Sequence, residues 1–266
     1  MKLVTVFFDL EAPFLWKNEA KFNLEEAIEN ISGILNRFKV KAVFNTCGIV
    51  AEKFPKVISL LHEEEHEIAS HGYAHENFLK MSPSDLNDVL AKTEQILQNI
   101  TGERPTGIRD PWLLKSKEIY GVLKNRSYSW ASNFHVPFWT TRSSLNVGAT
   151  SYPRWMLGRT IYMIKRFSQK KEPFRESSLL EMPLLSPMDI SCIYPFPQAE
   201  KNSPESSLEE AYSILVEHYE HSDEYFNLNL HEHIIGTANR VWLLENILKY
   251  LSAKTDVRFI LPHQLS

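Results

Sequence analysis

The residues best suited to chemistry are two histidines four positions apart, His71 and His75, and two carboxylates two positions apart, Asp9 and Glu11. Neutral imidazole is a good ligand for zinc and also for iron, cobalt or nickel, and a carboxylate can complete such a ligand set. If the backbone turns at Gly72, both histidines can point into one coordination sphere. The spacing alone fits two unconnected loop histidines equally well.

The two carboxylates follow an apolar, β-branched and aromatic run at residues 3–8, which predicts a strand buried on both faces. Alternate residues of a strand point to the same side, so Asp9 and Glu11 can face one site. In parallel α/β folds the C-terminal end of a strand faces the active site. One carboxylate can then bind a metal while the other acts as a general base; an acid pair facing solvent is the alternative.

Two further polar side chains end predicted strands. Arg109 ends the run 107–109 and can hold a neighbouring carboxylate ionised, although an ordinary turn with a surface arginine fits as well. His231 follows the run 227–230 and can act as a general acid toward a leaving amine. A capping or structural histidine is the alternative for His231, and His233 could compete for the role.

Aromatic residues near these groups suggest a pocket for a sugar. Trp112 follows Arg109 and Pro111, and its ring can form one wall of a sugar-sized pocket. The side chains that suggest a stacking cleft are Trp112, Trp130, Tyr128 and Phe138. His62 and His66 repeat the spacing of the candidate metal ligands, but they flank an acidic run at 63–65 and are expected on a solvated helix face.

Alternating periodicities predict the elements that position these groups. Strands are predicted at 3–8, 42–45, 67–70, 107–109, 179–184, 226–230 and 257–261, and helices at 24–38, around 57–61, at 84–100 and at 239–251. Strands that alternate with helices favour a parallel α/β fold. The length and the number of repeats fit a barrel-like closure better than an open Rossmann sheet, and neither a dinucleotide-binding nor a Walker A motif occurs.

The composition is that of an ordinary globular protein: 266 residues, 43% hydrophobic, with a formal net charge of -4 that gives no case for nucleic-acid binding. Cys47 and Cys192 are too few for a disulfide framework, which favours a reducing compartment. Asp9 and Glu11 interrupt the first apolar run, so no secretory leader is predicted. We expect a cytoplasmic protein, with peripheral contact at the inner face of the membrane as an option.

Residues 142–171 carry seven positive charges, no aspartate and no glutamate, interleaved with aromatic and aliphatic side chains. Such a segment suits an anionic membrane surface or a phosphate-bearing substrate. We interpret it as part of a basic, aromatic-rich insertion at about 134–175 that docks a polyprenyl-phosphate-linked sugar or an anionic glycan. A basic helix packed on the barrel with its charges in water is the alternative.

Six segments, in order along the chain, resemble the motifs of the polysaccharide deacetylases of carbohydrate esterase family 4, the NodB-homology group. They are residues 7–9, 41–44, 66–75, 101–112, 181–183 and 228–231. The resemblance covers nearly the whole chain. It implies a distorted (β/α) barrel, and a single catalytic domain over residues 1–266 that hydrolyses an N-acyl group from an amino sugar with the help of a metal.

The first motif departs from the family pattern. The family has two adjacent aspartates, a base followed by a metal ligand, and here Leu10 stands in the second position. Some branches place the ligand carboxylate one residue later. On that pattern Asp9 is the base, and Glu11 joins His71 and His75 on a divalent ion, with zinc expected and cobalt, nickel or iron as alternatives. A swap of the two carboxylates, or a two-histidine site that binds metal weakly, remains open.

The resemblance also implies that Arg109 holds the base and that His231 protonates the leaving amine. The family's fourth motif supplies an aspartate that supports the acid histidine, but the matching residues 127–132 contain none. The sequence therefore predicts that His231 lacks this partner.

Three functions are compatible with the sequence. The first is a metal-dependent deacetylase that acts on an N-acylated amino sugar of a polysaccharide or lipid-linked glycan. The second is an amide hydrolase on the same fold for a small ureide, formamide or cyclic imide. The third is a carbohydrate-binding homologue without catalytic activity, which the missing fourth-motif aspartate favours and the joint presence of Asp9, His71, His75, Arg109 and His231 opposes.

Overall fold

The computed structural model describes residues 1–12, 22–135, 170–176, 178–193 and 207–265. Within these ranges nine strands form one sheet. They are β1 (Lys2–Leu10), β2 (Val43–Thr46), β3 (Glu67–Ser70), β4 (Gly107–Ile108), β5 (Trp130–Ala131), β6 (Phe174–Glu176), β7 (Leu179–Glu181), β8 (Tyr225–His231) and β9 (Val257–Phe259).

The described helices cover the outside of the sheet. They are α1 (Leu24–Phe38), α2 (Gly48–Lys53), α3 (Pro55–Glu63), α4 (Pro83–Thr101), α5 (Lys117–Asn125), α6 (Asp189–Ile193), α7 (Leu208–Glu220), α8 (Glu232–Ile235) and α9 (Val241–Ser252). Three short 3-10 helices lie at Phe78–Lys80, Pro111–Leu113 and Pro262–Gln264. None of the helices in the described ranges is long and apolar enough to cross a membrane.

The sheet is curled into a distorted barrel, which confirms the predicted fold class. Its strand order is β6-β7-β5-β4-β3-β2-β1-β8, with β9 also paired to β1, and every pair is parallel except β6 with β7. A parallel bridge between Met188 and Asn229 joins the segment after β7 to β8. The carboxyl ends of the parallel strands therefore meet around one mouth.

Strand β1 separates the two apolar layers of the molecule. Phe7 lies in the interior cluster with Trp130 and Tyr225, whereas Phe8 lies in the larger cluster between the sheet and the helices. The two-residue period of the strand places Asp9 on the interior side with Phe7. The carboxylate therefore points into the barrel at its mouth.

The predicted helix 24–38 and the predicted strand 67–70 have the observed bounds. Asn23 caps α1 by accepting a hydrogen bond from the Glu26 N–H, and the helix ends at Lys39, whose φ is 55°. The pattern did not predict α2, α5 or α7. They have 6, 9 and 13 residues.

The expectation that His66 lies on a solvated helix face is wrong. His66 is buried beyond the end of α3, and its Nδ1 accepts a hydrogen bond from the Ala42 N–H at 3.1 Å. The ring of Phe44 contacts it edge-on, with the ring centroids 5.3 Å apart. Burial, followed by the charge of Lys41, lowers the pKa of His66 from 6.5 to about 4.

We expect the contribution of His66 to stability to fall as the pH falls from about 6.5 to about 4, because the unfolded chain then binds a proton that the buried His66 does not. Above pH 6.5 this contribution is fully present. Between pH 7.5 and pH 5 the loss amounts to roughly 2 kcal/mol for a folded-state pKa near 4. Urea unfolding of the wild type and of His66→Gln at both pH values checks this, and the same change in stability in both proteins would contradict it.

Candidate active site

Asp9 lies at the mouth between two neighbouring strands, opposite Asn45 of β2 and His231 of β8. Its Oδ1 accepts hydrogen bonds from Asn45 Nδ2 at 2.7 Å and from Arg109 Nη1 at 2.9 Å. Burial on its own raises the pKa of Asp9, but the charges of Arg109 and His71 outweigh it and hold that pKa below the usual value. Asp9 is therefore an ionised carboxylate at neutral pH.

Arg109 connects the ends of several strands. It follows β4, is fully buried, and its Nη2 donates to Ser132 Oγ at 3.0 Å and to Asn229 Oδ1 at 2.9 Å. The guanidinium also lies over the ring of Phe7, 4.4 Å from its centroid. These contacts leave the side chain one orientation, so the charge opposite Asp9 is fixed in place.

Glu11, His71 and His75 meet at one point. Glu11 Oε1 lies 3.1 Å from His71 Nε2 and 3.0 Å from His75 Nε2. The three ligand atoms all lie within 4.8 Å of one another, and a second group with the same property contains Asp9, Glu11 and His231. The sequence-predicted metal ligands, base and acid are thus adjacent in space.

The tautomer of His71 suits a metal ligand. Its Nδ1 lies 2.7 Å from the carbonyl oxygen of Arg109, and because a carbonyl only accepts, Nδ1 must carry the hydrogen. In the neutral ring this leaves the lone pair of Nε2 facing Glu11. With both Nε2 atoms protonated and no metal bound, hydrogen bonds from His71 and His75 overcome the effect of burial and hold the pKa of Glu11 well below its usual value. One carboxylate oxygen and two imidazole nitrogens that converge in this way form a donor set that fits a divalent metal ion.

The loop between the two histidines is tightly constrained. Gly72 has φ +70°, and a Cβ there would come within 2.9 Å of a carboxylate oxygen of Glu76. That carboxylate accepts the Tyr73 N–H at 3.0 Å and the Ala74 N–H at 2.9 Å. His75 itself has φ +58°. The turn brings two side chains four residues apart onto one carboxylate.

His231 has a carboxylate partner, so the prediction that it lacks one is wrong. Asp189 at the start of α6 accepts from His231 Nδ1 at 2.7 Å and from the His231 backbone N–H at 2.8 Å. Burial lowers the pKa of His231, but the charge and hydrogen bond of Asp189 outweigh it and raise that pKa to about 10. No local sequence pattern marked Asp189, because it lies 42 positions from His231 and the two residues meet only in the folded chain.

Of the predicted substrate contacts, Trp112 lies at the mouth. Its ring is 4.9 Å from that of His75, its side chain is 54% exposed, and its φ of 65° is unusual for a bulky residue. Pro111, by contrast, is buried, so its predicted contact with substrate is not supported by its position.

The prediction that Trp130 contacts the substrate is wrong. Trp130 is fully buried in the barrel interior, where its Nε1 donates to Glu67 at 2.6 Å. Glu67 begins β3, so this contact lies at the end of the strand opposite His71. A Cβ at Gly107 would come within 1.8 Å of the indole, which shows how fully the ring occupies this space. Trp130 fills the core rather than the cleft.

Fold and site together define a class: a curled, mainly parallel α/β barrel with a candidate metal centre at the carboxyl ends of its strands. Residues 2–130 match the family model described as polysaccharide deacetylase, which supports the resemblance of the chain to that family.

One curated relative and two solved structures are compared with the chain. The peptidoglycan-N-acetylglucosamine deacetylase of Bacillus cereus is 33% identical over 108 residues, which are 40% of this chain and 36% of that protein. The chain thus aligns with about a third of the length of this relative. A Mycobacterium smegmatis structure assigned to the polysaccharide deacetylases has a TM-score of 0.76 at 18% identity, covering 99% of this chain and 88% of that chain. The allantoinase PuuE has a TM-score of 0.67 at 13% identity, covering 99% and 88%. These two structures show the fold.

Proposed function

We propose that this protein is a metal-dependent hydrolase that removes an N-acyl group, acetyl in the first instance, from an amino sugar of a glycan. The observation that carries the proposal is the convergence of Glu11 with His71 and His75 beside the Asp9–Arg109 pair. His231 with its partner Asp189 adds a proton donor at the same mouth. An amide hydrolase needs these three functions: an electrophile, a base and an acid.

In this proposal Glu11, His71 and His75 hold the ion. We assign Asp9 to the role of base rather than ligand, because its Oδ1 accepts from Asn45 and Arg109, whereas both imidazole Nε2 atoms face Glu11. A zinc ion held there, or cobalt, nickel or iron in its place, would supply a Lewis acid that polarises the acyl carbonyl and lowers the pKa of a water molecule. The metal that the protein holds naturally is a matter for elemental analysis.

Asp9 takes the proton from the attacking water. Its carboxylate is ionised, and Arg109 holds it so that the oxygen not engaged by Arg109 and Asn45 is available as acceptor. His231 then donates a proton to the amine nitrogen as the carbon–nitrogen bond breaks. The donor is needed because an amide anion is a very poor leaving group, and Asp189 keeps the imidazole charged and oriented.

Two comparisons support an amino sugar as the substrate. They are the match to the polysaccharide deacetylase model and the similarity to a B. cereus protein named peptidoglycan-N-acetylglucosamine deacetylase. The exposed ring of Trp112 beside His75 offers a face on which a sugar ring can stack. A lipid-linked glycan and contact with an anionic membrane depend on residues 142–171. Only residues 170 and 171 of that segment, and parts of the predicted insertion at 134–175, lie within the described residues, so these remain predictions.

The test is a combined metal and activity measurement on the purified full chain. We expect about one zinc or cobalt ion bound per chain, and release of acetate from N-acetylglucosamine oligomers or peptidoglycan fragments that stops when a chelator removes the ion. Allantoin serves as the comparator for a small-ureide hydrolase. A protein that binds no added zinc or cobalt would contradict the proposal and favour a carbohydrate-binding homologue without catalytic activity.

A further inference from the structure

The chain makes a sharp turn immediately after β1. At its carboxyl end, β1 accepts a final backbone hydrogen bond from the residue after β2: the Cys47 N–H donates to the Leu10 carbonyl at 3.2 Å. Glu11 follows outside the strand, and Ala12 has φ 54°, in the left-handed region. Since the strand ladder ends at Leu10, it does not orient Glu11. Another group must do so if the carboxylate is to reach both histidines.

Glu232 is that group. Its Oε1 accepts the backbone N–H of Glu11 at 3.2 Å and also that of Ala12, and its Oε2 lies 3.3 Å from the Glu11 nitrogen. Glu232 is fully buried. Glu232 directly follows His231, the residue paired with Asp9 in the register of β1 and β8. The carboxylate therefore reaches across from the neighbouring strand end to the turn after β1.

We propose that Glu232 is a positioning residue that sets the place of Glu11 as a metal ligand. The inference rests on the metal site proposed above. A ligand set works only when its distances to the ion are held within about 0.2 Å, and groups that orient a ligand typically change metal affinity by about 10–100-fold. Glu232 accepts the N–H groups of Glu11 and of the next residue, Ala12, and so fixes the backbone conformation of Glu11. This restricts where the Glu11 carboxylate can lie.

The buried carboxylate of Glu232 and the two N–H groups that it accepts stabilise each other. A charged group that is fully buried is costly unless hydrogen bonds satisfy it, and the N–H groups of Glu11 and Ala12 provide them. The other ligand loop has the same arrangement, with Glu76 accepting the N–H groups of Tyr73 and Ala74. Glu76 is half-buried, so water can replace it, whereas water has no access to Glu232.

The experiment measures the affinity for Co²⁺ or Zn²⁺ by chelator competition or calorimetry, with the full chain. Glu232→Ala is expected to raise the Kd by about 10–100-fold, and activity is expected to return toward the wild-type value at saturating metal. Glu232→Gln keeps an oxygen where Oε1 accepts both N–H groups, so it should restore most of the affinity.

Glu181→Ala is the matched control. Glu181 is also fully buried and also accepts two consecutive backbone N–H groups, those of Asn133 at 2.6 Å and Phe134 at 2.7 Å, but it holds no metal-ligand loop. It should lower stability without changing the Kd for the metal. A similar loss of affinity in Glu181→Ala would mean that general destabilisation explains the effect and would overturn the inference.

The outcomes separate this inference from the proposed function. If the wild type binds no metal, the proposed function fails. If the wild type binds metal and Glu232→Ala binds it equally well, only the inference fails. Should Glu232→Ala not fold, Glu232→Asp replaces it, because the shorter side chain keeps the charge but does not reach both N–H groups. Wild-type affinity in that variant would equally overturn the inference.

Discussion

Replacing Asp9 by asparagine is expected to lower kcat for acetate release by roughly 10²–10⁴-fold, the range over which a positioned general base contributes. Asparagine has nearly the same shape, and its oxygen can still accept from Arg109 Nη1 and Asn45 Nδ2. The fold should therefore persist while the proton acceptor is lost. Steady-state assays on N-acetylglucosamine oligomers at saturating zinc measure the effect.

Glu11→Gln is the control that separates base from ligand. Metal affinity should stay near the wild-type value in Asp9→Asn and fall sharply in Glu11→Gln, because Glu11 and not Asp9 faces both imidazole Nε2 atoms. Loss of affinity in Asp9→Asn with retention in Glu11→Gln would mean that the two carboxylates exchange roles.

Replacing Asp189 by asparagine is expected to lower kcat by roughly 10²-fold or more near pH 8 and to shift the alkaline limb of the pH–rate profile downward by at least about one unit. A general acid must be protonated, so activity is lost as the pH rises through its pKa. Burial lowers the pKa of His231, and Asp189 is the largest of the influences that raise it to about 10. A bound cation offsets the smaller effects of Glu11 and Asp9, which leaves Asp189 as the main support.

The measurement is kcat against pH between 6 and 10.5 for the wild type and Asp189→Asn, with metal content monitored in each sample. An unchanged alkaline limb in the variant would show that Asp189 does not control the protonation of His231. A parallel fall in metal content would point to disruption of the site as a whole.

The sequence predicted those features of the site that follow from the periodicity of single strands and helices. The two-residue period of β1 placed Asp9 in the barrel interior, and the parallel arrangement brought the ends of β1, β3, β4 and β8 together. The bounds of the long element α1, and those of α4 to within one residue, followed from their 3.6-residue periods. These features depend on residues near one another in the chain.

The rest of the site depends on contacts between residues that are far apart in the sequence. Such contacts cannot be predicted from the identity of either residue alone. Asp189 meets His231 across 42 positions, and Glu232 meets Glu11 across 221. Trp130 was misinterpreted because an indole suits a cleft and a core equally well, and only the barrel closure decides between them. His66 was assigned to a solvated face for a related reason. The acidic residues 63–65 before it suggest exposure, whereas the contact with Phe44 that buries it forms only in the folded chain.

The bridge between Met188 and Asn229 affects the order in which the parts of the candidate active site can form. Asp189 comes from a segment that docks on β8, so His231 acquires its partner only once the sheet has curled round on itself. The metal-ligand corner, built mainly from the first 75 residues, needs only Glu232 from the distant half. In the proposed mechanism the proton donor therefore depends on closure of the sheet, whereas the metal ligands depend mainly on the first three strands and the turns that follow them.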